Sequence, residues 1–303
     1  MNKVYLDWFT IDETFPFFIQ YGGHVEDTNM HVHVDFSELV IVLSGVATHV
    51  VNTEETFIKK GDVFVINGST PHGYKDTQNF KICNIMYKTD MLPESGSDLN
   101  KLSGFQALFV FEPIYRTEEL LKSRLNLSLS SLEYVSAYVA DLVREYEEKR
   151  QAYQTMVSAA FSQLIVYLSR EYENQNHDKH SNLMHLAQAV SYMEDHYLEQ
   201  ISMEELAAKS QISVRHLNRI FKTHYQITPL EYIHKLRLEH ACSLLKRTNL
   251  PITVLSHESG FNDSNYFTRQ FAKSFGMSPT SYRRLYKSAS FIDKSEHSSS
   301  RSI

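Results

Sequence analysis

The C-terminal third of the 303-residue chain carries one short pattern twice, and that duplication limits the fold more than any other feature. Leu217 and Phe267, Arg219 and Arg269, Phe221 and Phe271, Pro229 and Pro279, and Tyr232 and Tyr282 each lie fifty positions apart. A spacing held over so many pairs marks a duplicated supersecondary unit, and each copy has the periodicity of two short helices around a tight turn. In the first copy Ser202 caps Met203-Glu-Glu-Leu-Ala-Ala, with Glu205 placed to complete a capping box, and a second helix begins at Ser213. In the second copy Gly260 marks the turn and Asp263 or Asn262 supplies the cap.

Within each second helix the residue types divide by face. Val214, Leu217, Ile220, Phe221 and Tyr225 form an apolar stripe, whereas Arg215, Asn218, Arg219 and Lys222 share the opposite side. Copy two repeats the division, with Tyr266, Phe267, Phe271 and Phe275 inward and Asn265, Arg269 and Lys273 outward. Guanidinium and amide groups on an exposed helix suit the major groove, since Arg pairs bidentately with guanine and Asn with adenine. One such helix is commonplace; two in register within helix-turn-helix frames point to DNA. Between the copies, Pro229 opens a helix with no further breaker until Pro251. About nineteen residues at about 1.5 Å each give a rod of about 28 Å. Successive major-groove faces lie about 34 Å apart, so one chain spans two adjacent turns.

These stretches, Leu206-Ala-Ala-Lys-Ser-Gln-Ile-Ser-Val-Arg-His-Leu-Asn-Arg-Ile-Phe-Lys222 and Gly260-Phe-Asn-Asp-Ser-Asn-Tyr-Phe-Thr-Arg-Gln-Phe-Ala-Lys-Ser-Phe-Gly-Met-Ser-Pro-Thr-Ser-Tyr-Arg283, resemble the AraC-type bacterial transcription regulators. The resemblance implies two helix-turn-helix units joined by one long helix. It places Arg215, Asn218 and Arg219 of the first unit, and Ser264, Asn265 and Arg269 of the second, at the bases; His216, Lys222 and Lys273 complete the expected DNA-binding set. One departure is Ser256, where the family usually has Ala.

The N-terminal region has a different grammar. Glu38–Gly45, Thr48–Asn52, Thr56–Ile58 and Asp62–Ile66 are short β-branched or aromatic runs separated by turn residues, the pattern of a small barrel or sandwich. The order His31-Val-His33, Glu38, Gly45, Gly61-Asp62, Gly68 and Pro71-His72 resembles the cupin signature. His31 and His33, two apart on a strand, face the same side. With Glu38 and His72 they make a set that in enzymatic cupins holds Fe, Mn or Zn. Three readings stand open: lining of a small-ligand pocket, metal binding, and structural hydrogen bonding. Pocket lining is the assignment adopted, with no cofactor or metal required. The wording from His31 to Asn52, together with Gly104–Pro113, is similar to the rhamnose-responsive branch of the family, which implies a sugar effector. Tyr21, Phe36 and Tyr74 are candidates to stack on an apolar sugar face.

From Ser130 to Tyr172 the period becomes helical. Leu132, Val135, Val139, Leu142, Val143 and Tyr146 form one stripe, and Met156, Ala160, Leu164, Ile165 and Leu168 another. Such stripes serve packing within the domain; in the resembled family equivalent helices also mediate dimerisation. The fold class expected is therefore α+β: a cupin-like β-barrel over 1–128, a helical packing or dimerisation segment over 129–173, a polar linker over 174–182, and an all-α DNA-binding domain over 183–287. Its two helix-turn-helix units occupy about 200–225 and 250–275, and the Ser-rich 288–303 reads as a disordered tail.

Charge divides along the same lines. Residues 183–287 hold thirteen Lys and Arg against nine Asp and Glu, a balance of +4, which leaves −10 for the remainder of a chain whose net charge is −6. A basic module joined to an acidic one fits one part that meets phosphates and one that does not. No run of about eighteen apolar residues is present, no signal peptide is apparent, and Cys83 and Cys242 fall in different domains, so a cytoplasmic protein with buried reduced thiols is expected. The function expected is an effector-controlled activator of carbohydrate-utilisation genes. Double-stranded DNA, a sugar, RNA polymerase and a second copy of the chain are its expected partners, and no catalysis is expected. The competing reading is a metal-dependent cupin enzyme acting on a sugar.

Overall fold

A computed structural model describes residues 2–286 except 11, 13, 25–27, 69, 93–96, 112–123 and 177–181. Most of the expected linker and the whole expected tail lie outside the described residues, as does Pro113. The chain divides into two compact units, Met1–Ser191 and Tyr192–Ile303, each considered by itself.

The first unit is one eight-stranded sheet with helices on its outer face. Its strands are β1 (Asn2–Val4), β2 (Phe17–His24), β3 (His31–His33), β4 (Ser37–Val51), β5 (Glu54–Lys59), β6 (Asp62–Ile66), β7 (His72–Tyr87) and β8 (Leu125–Asn126). The order is β1-β3-β7-β4-β6-β8, with β2 also on β7 and β5 also on β4. Two of the runs separated in the sequence reading, 38–45 and 48–52, fall on the single strand β4, except Asn52 in the turn that follows it. It stays continuous because shifts of register between Val42 and Thr48 bend it instead of ending it. β7, sixteen residues long, pairs with β2, β3 and β4 and is the backbone of the sheet.

Strand parity decides what each face does. On β4 and β7, Val40, Val42, Tyr74, Phe80 and Ile82 share an inner cluster with Ala47, Ile58, Phe64 and Ile66. The alternate residues face helices instead. Phe17 meets Phe161 edge-on with ring centres 5.3 Å apart, and Tyr87 lies tilted against the same ring at 5.0 Å. Both faces of β4 are thus covered, which is why Ser37–Val42 are all buried.

The helices of this unit begin with the turn α1 (Ser103–Phe105), which runs on as a π-turn over Gln106–Phe111. α2 (Leu129–Glu148) is capped by Ser128 and buries Leu132, Val135, Val139, Leu142 and Val143, as its stripe predicts. α3 (Tyr153–Asn176) buries Val157, Phe161, Leu164, Ile165 and Leu168. Met156, expected on that stripe, is 57% exposed; the buried row passes through its neighbour Val157.

α4 (Asn182–His196) contains the division between the units. The second unit then has α5 (Met203–Lys209) and α6 (Val214–Tyr225), the rod α7 (Pro229–Arg247), and α8 (Ile252–Glu258) and α9 (Ser264–Phe275), with residues 279–286 helical after them. The rod has the nineteen residues expected, so its length is about 28 Å. Its full capping box is Thr228 with Glu231. At α5, by contrast, Ser202 caps the Glu205 amide while the Glu205 carboxylate accepts from Tyr192 Oη at 2.7 Å.

The duplication survives in atomic detail. Ser210 Oγ donates to Leu206 O in one unit and Ser259 Oγ to Leu255 O in the other. Ile212 N donates to Ala207 O, and Phe261 N to Ser256 O. These pairs are forty-nine apart, whereas everything after the turn is fifty apart, so the second turn holds one extra residue at Asn262. Leu206-Ala207 and Leu255-Ser256 are related by that shorter step. The second unit closes on Leu238, Ala241, Cys242, Leu245, Leu255, Phe261, Phe267, Phe271 and Tyr282.

Candidate DNA-reading surface and ligand cavity

Each reading helix is fixed by its own cap and core. Ser213 caps α6 by accepting from the His216 amide, and Asp263 caps α9 by accepting from Asn265 and Tyr266. Those amide bonds hold the exposed Asp263 carboxyl below its usual range. Leu217 and Phe221 of α6, and Phe267 and Phe271 of α9, are fully buried. With the inner face anchored, Arg215, Arg219 and Lys222 of α6 are exposed, as are Asn265, Arg269 and Lys273 of α9. Ser264 is half-buried.

Two residues of the first helix depart from expectation. Asn218 is half-buried and its amide nitrogen donates to Val214 O at 3.0 Å, so in this conformation its donor serves its own helix. His216 is half-buried too, and its Nε2 is buried without a hydrogen-bond partner, turned away from the basic face. The charged face of α6 is therefore Arg215, Arg219 and Lys222, narrower than the sequence pattern implies. Copy one has its long cations at i, i+4 and i+7; copy two has an amide and two cations at i, i+4 and i+8.

In the first unit a cavity of about 720 Å³ opens on the inner face of the sheet. Parity brings His31 and His33 from β3, Glu38 from β4, and His72, Tyr74 and Asn84 from β7 to its wall. The four residues singled out in the sequence are thus assembled by three strands. One ligand atom from each of His31, His33 and His72 lies within 4.8 Å of the others, and among the described residues this is the one group of that kind. Glu38 Oε2 stands 3.7 Å from His33 Nε2 and 3.8 Å from His72 Nε2.

The tautomers follow from the backbone. His31 Nδ1 lies 3.0 Å from Asn29 O, and His72 Nδ1 lies 3.0 Å from Thr70 O. A carbonyl only accepts, so each Nδ1 carries a hydrogen and Nε2 is the ring nitrogen left for the cavity. Burial, with His72 and His31 beside it, lowers the His33 pKa to about 2, so this ring is uncharged at neutral pH. Asn84 Oδ1 is buried without a hydrogen-bond partner. The wall is therefore rich in acceptors and suits an occupant that brings several O–H or N–H donors, or a cation.

Of the three aromatics considered for stacking, Tyr74 lines the cavity. Phe36 instead packs under His33, with ring centroids 4.2 Å apart. Tyr21 does not reach the cavity and is 50% exposed; its neighbour Gln20 has the inward parity. The sequence reading missed Gln20, Asn84, and the N-terminal residues Lys3 and Trp8, which also line the wall. For Asn84 a signal existed, because it shares parity with His72 and Tyr74 along β7. For Trp8 none did, since β1 reaches the cavity through a non-local parallel pairing with β3.

Comparison with known proteins matches this arrangement. A family described as "AraC-like ligand binding domain" covers residues 17–165, and one described as "Helix-turn-helix domain" covers 206–285. The HTH-type transcriptional activator RhaS of Enterobacter sp. strain 638 is 30% identical over 252 residues, 83% of this chain and 86% of that protein. The HTH-type transcriptional activator RhaR of Mannheimia succiniciproducens is 26% identical over 276 residues, 91% of this chain and 94% of that protein. With a cupin-like sheet carrying the ligand cavity and a duplicated helix-turn-helix domain carrying the basic faces, the chain belongs to the AraC-type transcription regulators.

Proposed function

We propose that the chain is a sugar-responsive activator of carbohydrate-utilisation genes that reads two adjacent major grooves of double-stranded DNA. Arg215, Arg219 and Lys222 face one groove, and Ser264, Asn265, Arg269 and Lys273 the next, with Asn218 able to join on releasing its backbone bond. The effector occupies the cavity among His31, His33, Glu38 and His72. The observation that carries this reading is the acceptor-rich wall: a neutral polyol brings many O–H donors, and Tyr74 offers an apolar face. The two relatives are named activators, which supports the sign of control. Residues 1–128 form the sensor, 129–173 the helices through which a homodimer forms, and 183–287 the DNA-binding domain. The protein acts in the cytoplasm with RNA polymerase and catalyses no reaction.

The test is selection of bound DNA from a random pool by the full chain, with and without a panel of sugars that includes L-rhamnose. The expected result is a site with two contacted grooves whose enrichment changes with one sugar. Enrichment unaffected by every sugar, with no thermal shift, would sink the sensor half of the proposal.

A second reading has a specific observation behind it. Donation of Nδ1–H to a backbone carbonyl by two convergent histidines is the orientation that metal-ligating imidazoles adopt. A divalent ion would sit among Nε2 of His31, His33 and His72 and the Glu38 carboxylate. Metal analysis of untagged protein purified without chelator separates the two occupants, and sugar turnover by metal-loaded protein lacking specific DNA binding would favour an enzyme.

A further inference from the structure

The two reading helices have to be held at one separation, and α7 alone does not do this. Its first half buries Pro229, Ile233 and Leu236. Its second half, through Leu238, Ala241, Cys242 and Leu245, belongs to the core of the second helix-turn-helix. Arg237 stands at the divide and is 8% exposed. A buried guanidinium among apolar neighbours is costly unless its N–H groups are taken up.

Its acceptors lie on one segment and its flank on another. Arg237 Nε donates to Tyr197 O at 2.6 Å and Nη2 to Glu199 O at 2.7 Å. Residues 197–200 lead from α4 into α5, the opening helix of the first helix-turn-helix. The same guanidinium lies 5.9 Å from the ring centre of Phe261, in the turn between α8 and α9 of the second helix-turn-helix. Gln200 Nε2 reaches Asn262 Oδ1 at 3.3 Å across the same two segments. The approach is so close that a Cβ on Gly260 would fall 2.9 Å from Arg237 Nε and 3.1 Å from Leu198 Cα.

We propose that Arg237 is a positioning residue that sets the separation of α6 and α9, and with it the groove spacing that the chain accepts in DNA. The planar fork suits this task, because two N–H groups aimed at two carbonyls of one segment fix direction as well as distance. One base pair of B-DNA adds about 3.4 Å and about 35° between the two grooves. A clamped pair of helices tolerates one spacing; an unclamped pair tolerates several. The inference rests on the reading that α6 and α9 both enter DNA.

The experiment uses the full chain and its selected site, with derivatives that carry one or two base pairs inserted or removed between the contacted grooves. Fluorescence anisotropy gives Kd on each, and hydroxyl-radical footprinting counts grooves. For the unaltered protein at least a tenfold loss per base pair is expected. Arg237→Met is expected to bind the best site about tenfold more weakly and to lose less than threefold per base pair, and Arg237→Lys to fall between. A purely structural role would weaken all spacings equally, so a folded Arg237→Met with the unaltered spacing profile overturns the proposal. Should that variant fail to fold, Arg237→Lys carries the same comparison, and an unaltered profile overturns the proposal equally. A footprint of the unaltered protein confined to one groove overturns the two-groove reading itself, and the inference with it.

Discussion

The repeat supplies an internal control for the clamp at Arg237. Each unit uses the left-handed backbone twice, once in the turn between its helices and once after the reading helix. In the first helix-turn-helix these positions are Gln211 and Gln226, at φ 56° and 58°; in the second they are Gly260 and Gly276, at φ 80° and 69°. Consider Gly276→Ala and Gly260→Ala. At Gly276 no heavy atom lies within 4 Å of an added Cβ, so only the backbone preference acts. That costs about 1–2 kcal/mol, offset by about 0.4–1 kcal/mol because alanine restricts the unfolded chain. The net expectation is a loss of about 0.5–1 kcal/mol. At Gly260 the same term applies, but the new methyl meets Arg237 Nε at 2.9 Å and Leu198 Cα and O at 3.1 Å. Arg237 is no flexible chain end here, being tied to Tyr197 O, and Leu198 presents main chain. Overpacking of this kind adds about 1–3 kcal/mol, for a total of about 2–4 kcal/mol. Urea unfolding of the full chain followed by far-ultraviolet circular dichroism measures both. A Gly260→Ala loss no greater than that of Gly276→Ala would refute the close approach of segments 197–200 and 260–262. Gln226→Gly, which relieves the same backbone strain in the first unit, is expected within about 1 kcal/mol of the parent.

The remaining predictions bear on function. Arg219→Ala and Arg269→Ala are each expected to weaken a selected DNA site by about 1–3 kcal/mol while leaving the thermal midpoint nearly unchanged; an equal loss on random DNA would reassign them to phosphate contacts. Glu38→Gln keeps the shape of the cavity wall but exchanges a carboxyl for an amide, so calorimetry with the sugar found in the panel is expected to show roughly tenfold weaker binding, and unchanged affinity would remove Glu38 from the site. Trp8, the single tryptophan, lines the cavity at 65% exposure, so its emission is expected to shift when that sugar binds; a silent Trp8 beside a calorimetric signal would place the sugar elsewhere. His33 has a folded pKa lowered to about 2 against an unfolded value near 6.5, so its contribution is present above about pH 6.5 and lost as pH falls below it. His33→Gln is accordingly expected to flatten the fall in thermal midpoint between pH 7 and pH 5, and identical profiles would show that the ring does not titrate in this environment.

What was legible in the sequence divides by the range of the interaction. The caps at Ser213 and Asp263, the proline at the start of α7 and the faces of α6 and α9 are set within a turn or two of helix, and each appears where local pattern places it. The clustering of His31, His33, Glu38 and His72 was legible through motif spacing, and parity explains it once the strands are paired. The failures are non-local. β4 runs unbroken through 45–48 because β7 and β5 pair along it, which local turn residues hide. Tyr21 looked like a pocket residue by type, but the register of β2 against β7 turns Gln20 inward instead. No sequence signal singled out Arg237, because its carbonyl partners come from residues 197–200, some forty positions earlier.

The pairing of the N-terminal strand suggests how occupancy of the cavity becomes a structural event. Among the described residues β1 pairs with β3 alone, with Asn2 opposite His31 and Val4 opposite His33, and β3 meets β7 at the pair His31 and His72. Leu6 also packs in a small core with Phe36 and Met86, flanked by Val4 and Phe9. Leu6 N on Asp35 Oδ1 and the Lys88–Asp35 ion pair add polar ties, the latter worth little because both groups are partly exposed. An occupant held at once by His31 and His33 on β3, Glu38 on β4 and His72 on β7 therefore bridges the weakly paired strands to the firmly paired ones. A ligand shifts an equilibrium only by its differential affinity for the two states, and a state with β1 and β3 displaced would lack two imidazoles of the proposed binding set. Effector binding at the proposed site is therefore expected to order the N-terminal segment, and proteolysis near residue 10 that slows when the sugar is added is the outcome that checks it.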